Sequence, residues 1–368
     1  MPDAQGALRN RVREFLGREL AAGGFAPRCD SWLIGFDPAF SARLGAAGLI
    51  GLMLPTEYGG QGLTIRDRLV VSEELLAAGA PVAAHWFAER QFAPALLRLG
   101  TAEQRAEWIP RITRGELFMA VGLSESDAGS DLAAVRTKAT PVQGGWSVSG
   151  TKLWSSGAHH AHVIVVLART SGERHEGLTQ LIVRLPDPSV VIRPILAMNG
   201  EHHFNEVVFT DTFVPHADVL GEPGRGWKQA MEELATERAG PERYLSTFPL
   251  LHQVAQGLLP GCESQAHIGE LIAAISTFRV INMRVVEHIE ANRTDAIDIA
   301  MLKDMGTVFE QRTIDVALDM INDHHRSQPV PKSALSLLRD AQYQAPGFTV
   351  RGGTNEVLRG IVSKGLLL

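Results

Sequence analysis

The sequence predicts a mainly α-helical protein with a β domain at its centre. Two observations carry that class. Apolar residues recur at helical spacing from the start to about residue 115 and again beyond Gly221, whereas the stretch from about Phe118 to Asp211 breaks into short β-rich runs separated by turns. The implied division is an N-terminal helical domain over 1–116, a middle β-barrel or sandwich over 117–220, and a C-terminal four-helix bundle over 221–368. A chain of 368 residues is long enough to bury a sizeable core in two to three such domains.

Each element has a local reason. Leu8, Val12, Phe15, Leu16 and then Leu20 recur three to four apart, as on one face of a helix. Thr101 with Gln104, just ahead of Trp108 and Ile109, is a capping-box start signal. In the middle, Trp146 and Val148 alternate, and His162 to Leu167 (HVIVVL) reads as a buried strand. Leu178 to Val183, Val190 to Ile195 and Asn205 to Phe209 follow as further strands. Beyond Gly221 the helical period returns with Trp227, Met231 and Leu234, then over about 264–289 and 295–322, and SQPVPK at 327–332 reads as a linker.

Composition removes several functional classes. With 35 basic against 41 acidic residues the net charge is −6, which argues against a nucleic-acid coat or a polybasic membrane anchor. Cys29 and Cys262 stand far apart without partners at metal spacing, so neither a disulfide scaffold nor a zinc ribbon is expected. No apolar run reaches the roughly 18–20 residues of a membrane span. The charged N-terminus lacks the apolar centre of a signal peptide, and the expected setting is cytoplasmic.

Three stretches carry chemistry. GLSESDAGSD at 122–131 combines small residues, Gly129, and the hydroxyls of Ser124 and Ser130 with successive backbone amides, donors suited to an anion or a carbonyl-rich ring. Taken alone it reads first as a polar surface turn, and it lacks the glycine spacing of a phosphate loop. In GTKLWSSG at 150–157, Trp154 beside Ser155 and Ser156 suits a planar group that is stacked and hydrogen-bonded at its edge, although a tryptophan closing a β domain is more often core. In ATERAGPER at 235–243, a continuing helix puts Ala230, Leu234 and Glu237 on one stripe, where a desolvated carboxylate serves as a base. The plainer reading there is a surface ion pair of Arg238 with Glu242. His160 and His162 on one strand face, and the pairs His202/His203 and His324/His325, invite a metal reading, but no carboxylate or cysteine completes a ligand set and no metal is expected.

In order along the chain, these pieces resemble the acyl-CoA dehydrogenase family of flavoproteins. The resemblance rests on GLMLPTEYGGQG at 51–62, GLSESDAGSDLAAVRT at 122–137, GTKLWSSGA at 150–158, FNEVVFTDTFVPHADVLGEPGRGW at 204–227 and RGGTNEVLRG at 351–360. It implies FAD held between the β domain and the C-terminal helices. Leu123, Ser124, Gly129 and Ser130 would lie along the flavin and the thioester, with Ser130 and Arg238 toward the substrate. Trp154 and Ser155 would pack by the ring, Ser156 would bond its hydride-accepting nitrogen, and Gly353, Thr354 and Glu356 would touch the cofactor. The implied reaction is α,β-dehydrogenation of an acyl-CoA or acyl-carrier thioester, with electron-transfer flavoprotein as acceptor.

In this family the base stands either before the Gly-Thr pair near the C-terminus, here Gly352, or before an arginine on the first C-terminal helix, here Glu237 before Arg238. Glu237 is therefore the expected base and Glu242 the fallback. Two family elements that reach a neighbouring subunit's FAD, an Arg-x-x-Phe and a glutamine followed by a glycine pair, are missing from 258–275 and 320–348. This resembles members that form mixed assemblies of two related chains, so a homo-oligomer, a heteromer, and a non-catalytic partner subunit completing a companion's site all stand as readings. A flavin oxidase or monooxygenase on the same fold is a further alternative.

Overall fold

The structure, a computed structural model, describes residues 4–237, 240–257, 262–291, 293, 296–325 and 329–366, with side chains described except at 234–237, 257, 262–265 and 325. Backbone contacts divide the chain into two compact units. One comprises Met1–Phe36, Leu63–Val82 and Ala235–Leu368, and the other Asp37–Gly62 and Ala83–Leu234.

The second unit holds one eight-stranded sheet: β1 (Met119–Gly122), β2 (Lys138–Val142), β3 (Gly145–Lys152), β4 (Val163–Arg169), β5 (Leu178–Arg184), β6 (Val190–Leu196), β7 (His202–Pro215) and β8 (Val219–Leu220). The order is β6-β7-β3-β2-β4-β5-β8, with β1 added in parallel to β4 from Met119 opposite Val163. The run HVIVVL becomes β4, buried along nearly its whole length, as a continuous apolar strand must be. β6 lies at the edge and carries Pro194 where a missing N–H costs least.

Trp108, Ile109 and Ile112 of the helix Ala102–Thr113 pack with Met119, Val163, Val165, Ile182 and Leu220 in one core. The capping box is formed, and Gln104 serves twice: its oxygen accepts from Thr101 N at 3.1 Å, and its amide nitrogen donates to Ala217 O and Val219 O at 2.7 and 2.9 Å. A helix start is thereby tied to the end of the sheet. The sequence reading of His160 and His162 on one strand face does not hold. Gly157, with φ 65, turns the chain into a single 3-10 turn over Ala158–His160, and β4 begins only at Val163.

The first unit is helical. Leu8, Val12, Phe15 and Leu16 are buried on the helix Ala4–Ala21, whereas Leu20, in its final turn, is exposed. The long helices Cys262–Glu290 and Ala296–His325 pack on each other, and Lys332–Phe348 and Asn355–Leu366 pack on the second of these. Among the described residues no helix is long and apolar enough to cross a membrane.

Candidate functional site

Two neighbouring segments of the sheet unit and one turn of the helical unit contain most of the residues singled out from the sequence. The first segment leaves β1 at Gly122. Glu125 accepts from the amides of Arg136 (2.8 Å) and Thr137 (2.9 Å) and from Lys152 Nζ (2.8 Å), while Lys152 also donates to Leu123 O (3.0 Å). Lys152 is fully buried. Burial works against the Glu125 anion, but Lys152 and the amide donors outweigh it and hold the carboxyl below the usual range. Burial pushes the Lys152 ammonium down to about 8, against the pull of Glu125.

This ion pair fixes the inner side of the loop and leaves its outer side open. Leu123 and Ser124 are half-buried, whereas Gly129 and Ser130 are exposed, and the amides of those two glycine and serine residues have no acceptor among the described residues. A Cβ at Gly129 would meet nothing within 4 Å, and its φ lies outside the left-handed range, so the protein's own packing does not require glycine there.

The second segment leaves β3 at Lys152 and lies beside the first, with Leu153 N donating to Ser124 O at 2.9 Å. Trp154 has φ 63, a left-handed conformation that costs a bulky residue about 1–2 kcal/mol. The residue is 56% exposed and its ring stands edge-on to Phe204 at 5.6 Å, which decides against a core tryptophan. Ser155 is buried and its hydroxyl has no partner among the described residues, while Ser156 is half-buried.

β7 holds this turn. Ser155 N donates to Asn205 O at 3.1 Å, Gly157 N to His203 O at 2.8 Å, and Asn205 Nδ2 to Ser155 O at 2.9 Å. Asn205 Nδ2 also donates to His159 Nδ1 (3.0 Å), and its Oδ1 accepts from His202 Nε2 (2.7 Å). The rings of His159 and His202 stack at 3.8 Å. Burial, then the neighbouring His160 and His202, lowers His159 to about 4, so it is a neutral acceptor near pH 7. Two of the histidines that invited a metal reading, His160 and His202, are thus packed against His159 beside this turn.

In the helical unit, Gly352 (φ 68) and Gly353 (φ 96) form a tight turn ahead of the helix Asn355–Leu366. Arg351 makes a two-pronged ion pair with fully buried Asp30 and lies 4.7 Å from the Trp32 ring centre. Lys303, also buried, donates to Asn355 Oδ1 at 3.0 Å and Phe348 O at 3.1 Å. A Cβ at Gly352 would lie 3.3 Å from Arg243 Nη1, which brings the turn next to the segment Pro241–Arg243. Thr354 accepts from Val357 N at 3.4 Å, and exposed Glu356 is held below the usual carboxylate range by its own amide and the Thr354 hydroxyl.

Glu237 ends the helix Gly226–Glu237, so the helix does continue far enough to carry the stripe. Its side chain, and Arg238 altogether, lie outside the described residues. Glu242 is buried, 3.8 Å from Arg243 Nε, which removes the reading of Glu242 as part of a surface ion pair.

The residues of the sheet unit fit an isoalloxazine ring. An exposed indole held at a strained φ, a buried hydroxyl without a partner among the described residues, and a glycine loop with open amides together suit a ligand with a flat face and polar edges. Sequence reasoning found Trp154, Ser155 and the loop but missed what holds them. Glu125, Lys152 and Asn205 each stood inside a quoted motif, and the signal available was a lone charge or amide within an otherwise small or apolar stretch.

Known proteins match most of the chain. The acyl-CoA dehydrogenase N-terminal domain matches residues 2–116 and the acyl-CoA dehydrogenase middle domain residues 120–212. The chain is similar to the acyl-CoA dehydrogenase IpdE1 of Mycobacterium tuberculosis, 42% identical over 202 residues, covering 54% of this chain and 52% of that protein. It is similar to the acyl-CoA dehydrogenase FadE29 of the same organism, 30% identical over 344 residues, covering 89% and 87%. Among solved structures it resembles the Tcur3481-Tcur3483 steroid ACAD with a TM-score of 0.88 and 26% identity, covering 100% of this chain and 98% of that one. The matches span only about half the length of the first curated relatives. Members of the family are FAD flavoproteins. Similarity over nearly the whole of both chains, with the family's two domains in order, leads to one conclusion: the chain belongs to the acyl-CoA dehydrogenase family.

Proposed function

We propose that the chain is an FAD-dependent dehydrogenase that introduces a double bond next to the carbonyl of an acyl thioester, organised as helical, β and helical domains over 1–116, 117–220 and 221–368. The observation that carries this reading is the Trp154–Ser156 turn, whose strain, exposure and unpartnered hydroxyl need a flat polar ligand. Bound FAD supplies the hydride acceptor.

The protein's residues do the rest. Glu237 takes the proton from the carbon beside the carbonyl, with Glu242 as fallback, and a helix stripe is the setting that raises a carboxylate's affinity for a proton. Trp154 covers the ring and Ser156 hydrogen-bonds its edge. Leu123, Ser124, Gly129 and Ser130 give backbone and hydroxyl donors along the cofactor and the thioester, where charge develops on the carbonyl oxygen. Gly353, Thr354 and Glu356 would help to hold the cofactor, and Arg238 would serve the substrate. Glu237 would hold the proton and bound FAD would supply the acceptor for the hydride, so the product would be the conjugated enoyl thioester. Electrons then pass to an electron-transfer flavoprotein.

The working unit we propose is a heteromer with a related chain. Supporting this, the Arg-x-x-Phe and glycine-pair elements are missing, and the similar steroid ACAD carries two chain names, Tcur3481 and Tcur3483. That likeness also favours a bulky, ring-bearing acyl group. The test is anaerobic addition of acyl-CoA to the purified protein, alone and with a homologous chain. Flavin absorbance should bleach, and Glu237→Gln should slow bleaching by about 10²–10⁴-fold. No bleaching with any thioester, or an unchanged rate in the variant, would overturn the reading. A heteromer that bleaches at the same rate with Glu237→Gln would mark this chain as the non-catalytic partner.

A further inference from the structure

We infer that Asn205 is a positioning residue for the flavin: its side-chain amide fixes the backbone of the Trp154–Ser156 turn in the conformation that presents the indole and the Ser155 and Ser156 hydroxyls. The inference deepens the proposed function and rests on it for the identity of the ligand. The hold itself stands on geometry alone.

Trp154 occupies a conformation that an isolated tryptophan avoids, so something outside the turn must impose it. Asn205 is fully buried in β7 and holds the residue that follows Trp154 at both of its backbone polar groups: its backbone oxygen accepts from Ser155 N (3.1 Å) and its Nδ2 donates to Ser155 O (2.9 Å). Pinning both the N–H and the C=O of Ser155 leaves little freedom in the torsions on either side. The preceding residue of β7, Phe204, supports the Trp154 ring edge-on, so adjacent residues of one strand set the backbone and the ring together.

The amide cannot turn over. Its Nδ2 faces three acceptors, Ser155 O, His159 Nδ1 and, at 3.4 Å, His203 O, and its Oδ1 accepts from His202 Nε2. Exchanging the two ends would set the amide oxygen against the carbonyl oxygens of Ser155 and His203, neither of which can donate. The carbonyls of Ser155 and His203, which can only accept, therefore select one orientation of Asn205, the stacked His159 and His202 take the tautomers that match it, and Asn205 selects one conformation of the turn. A buried aspartate in its place would keep the shape, lose both donors and put a charge against Ser155 O.

The test uses the chain labelled with 5-fluorotryptophan, alone and with a homologous chain, in four forms: wild type, Asn205→Ala, Asn205→Asp and Val207→Ala. Val207 is equally buried in the same strand but packs in the sheet core opposite Lys152, so it reports destabilisation without a hydrogen bond to the Trp154–Ser156 turn. The six tryptophans give six fluorine resonances, with Trp154 assigned by Trp154→Phe. Both Asn205 variants should move or broaden the Trp154 resonance, weaken FAD by about tenfold or more, the worth of one good hydrogen bond, and alter the visible band of the flavin that remains. Val207→Ala should change neither. An unmoved Trp154 resonance in both Asn205 variants, or an equal FAD loss in Val207→Ala, overturns the inference. A wild type that binds no FAD in either assembly overturns the functional reading instead, and the fluorine spectra still decide whether Asn205 holds the turn.

Discussion

The two segments of the sheet unit lie side by side but are held in opposite ways. The Leu123–Ser130 loop is pinned by a charge pair, buried Lys152 against Glu125. The Trp154–Gly157 turn is pinned by a neutral set, one amide between two imidazoles and a carbonyl. A charge pair holds strongly and brings its electric field with it. Beside donors meant for an anionic or carbonyl-rich ligand, that pair is balanced and set behind the loop, so the outer amides remain the feature a ligand meets. At the turn, where a flat ring would lie, a neutral lock fixes geometry without adding a charge.

The contrast fixes the order of expected effects. Lys152→Met should be the most damaging, because it leaves the Glu125 carboxylate mostly buried without its cation. A loss of about 3–5 kcal/mol by urea unfolding is expected, with a part recovered in Lys152→Met/Glu125→Gln. Asn205→Ala removes a neutral lock and should cost about 1–3 kcal/mol. If Asn205→Ala costs more than Lys152→Met, the distinction between the two locks fails.

Protonation separates them further. The folded value of His159, about 4, lies below its unfolded value near 6.5. Between those limits the unfolded chain binds the extra proton, so this contribution is present above about pH 6.5 and lost as pH falls toward 4. Buried His85, lowered to about 3, adds to the same decline. His159→Gln should therefore flatten part of the stability loss between pH 6.5 and 4, measured as Tm against pH. The charged loop titrates elsewhere. Lys152, about 8 when folded and 10.5 otherwise, lets the unfolded chain take up a proton first as pH falls from 10.5 to 8, and Glu125 loses its contribution only below about 4.5. A slope centred near pH 7 that vanishes with either pair would contradict both assignments.

The smallest stability effect belongs to Trp154→Gly. Glycine relieves the left-handed strain while the indole's contact with Phe204 is lost, so the net change should stay within about 1 kcal/mol. The same variant should lose most of its FAD, which separates a ligand platform from a structural tryptophan.

Much of the fold was legible because its signals are local. The capping box at Thr101, the buried run of β4 and the long helical periods each show within a window of a few turns. Trp154, Ser155 and Ser156 stood out for the same reason, being three chemically unusual neighbours. The locks were not, because they act at a distance: Glu125 lies 27 residues from Lys152, and Asn205 lies 50 from Ser155. A side chain that bonds one distant carbonyl leaves no period in the sequence. The misplacement of His160 had a different cause, since the left-handed Gly157 ended the strand texture early and no local pattern marks where β4 starts.

The central claim is that the Trp154–Ser156 turn is the flavin's seat. Its most direct test is titration of FAD into the fluorotryptophan-labelled protein, assembled with a homologous chain. The account predicts that the Trp154 resonance shifts in proportion to bound FAD while that of Trp108, buried in the core beneath the sheet, stays in place. A saturated FAD complex in which Trp154 does not move would contradict it.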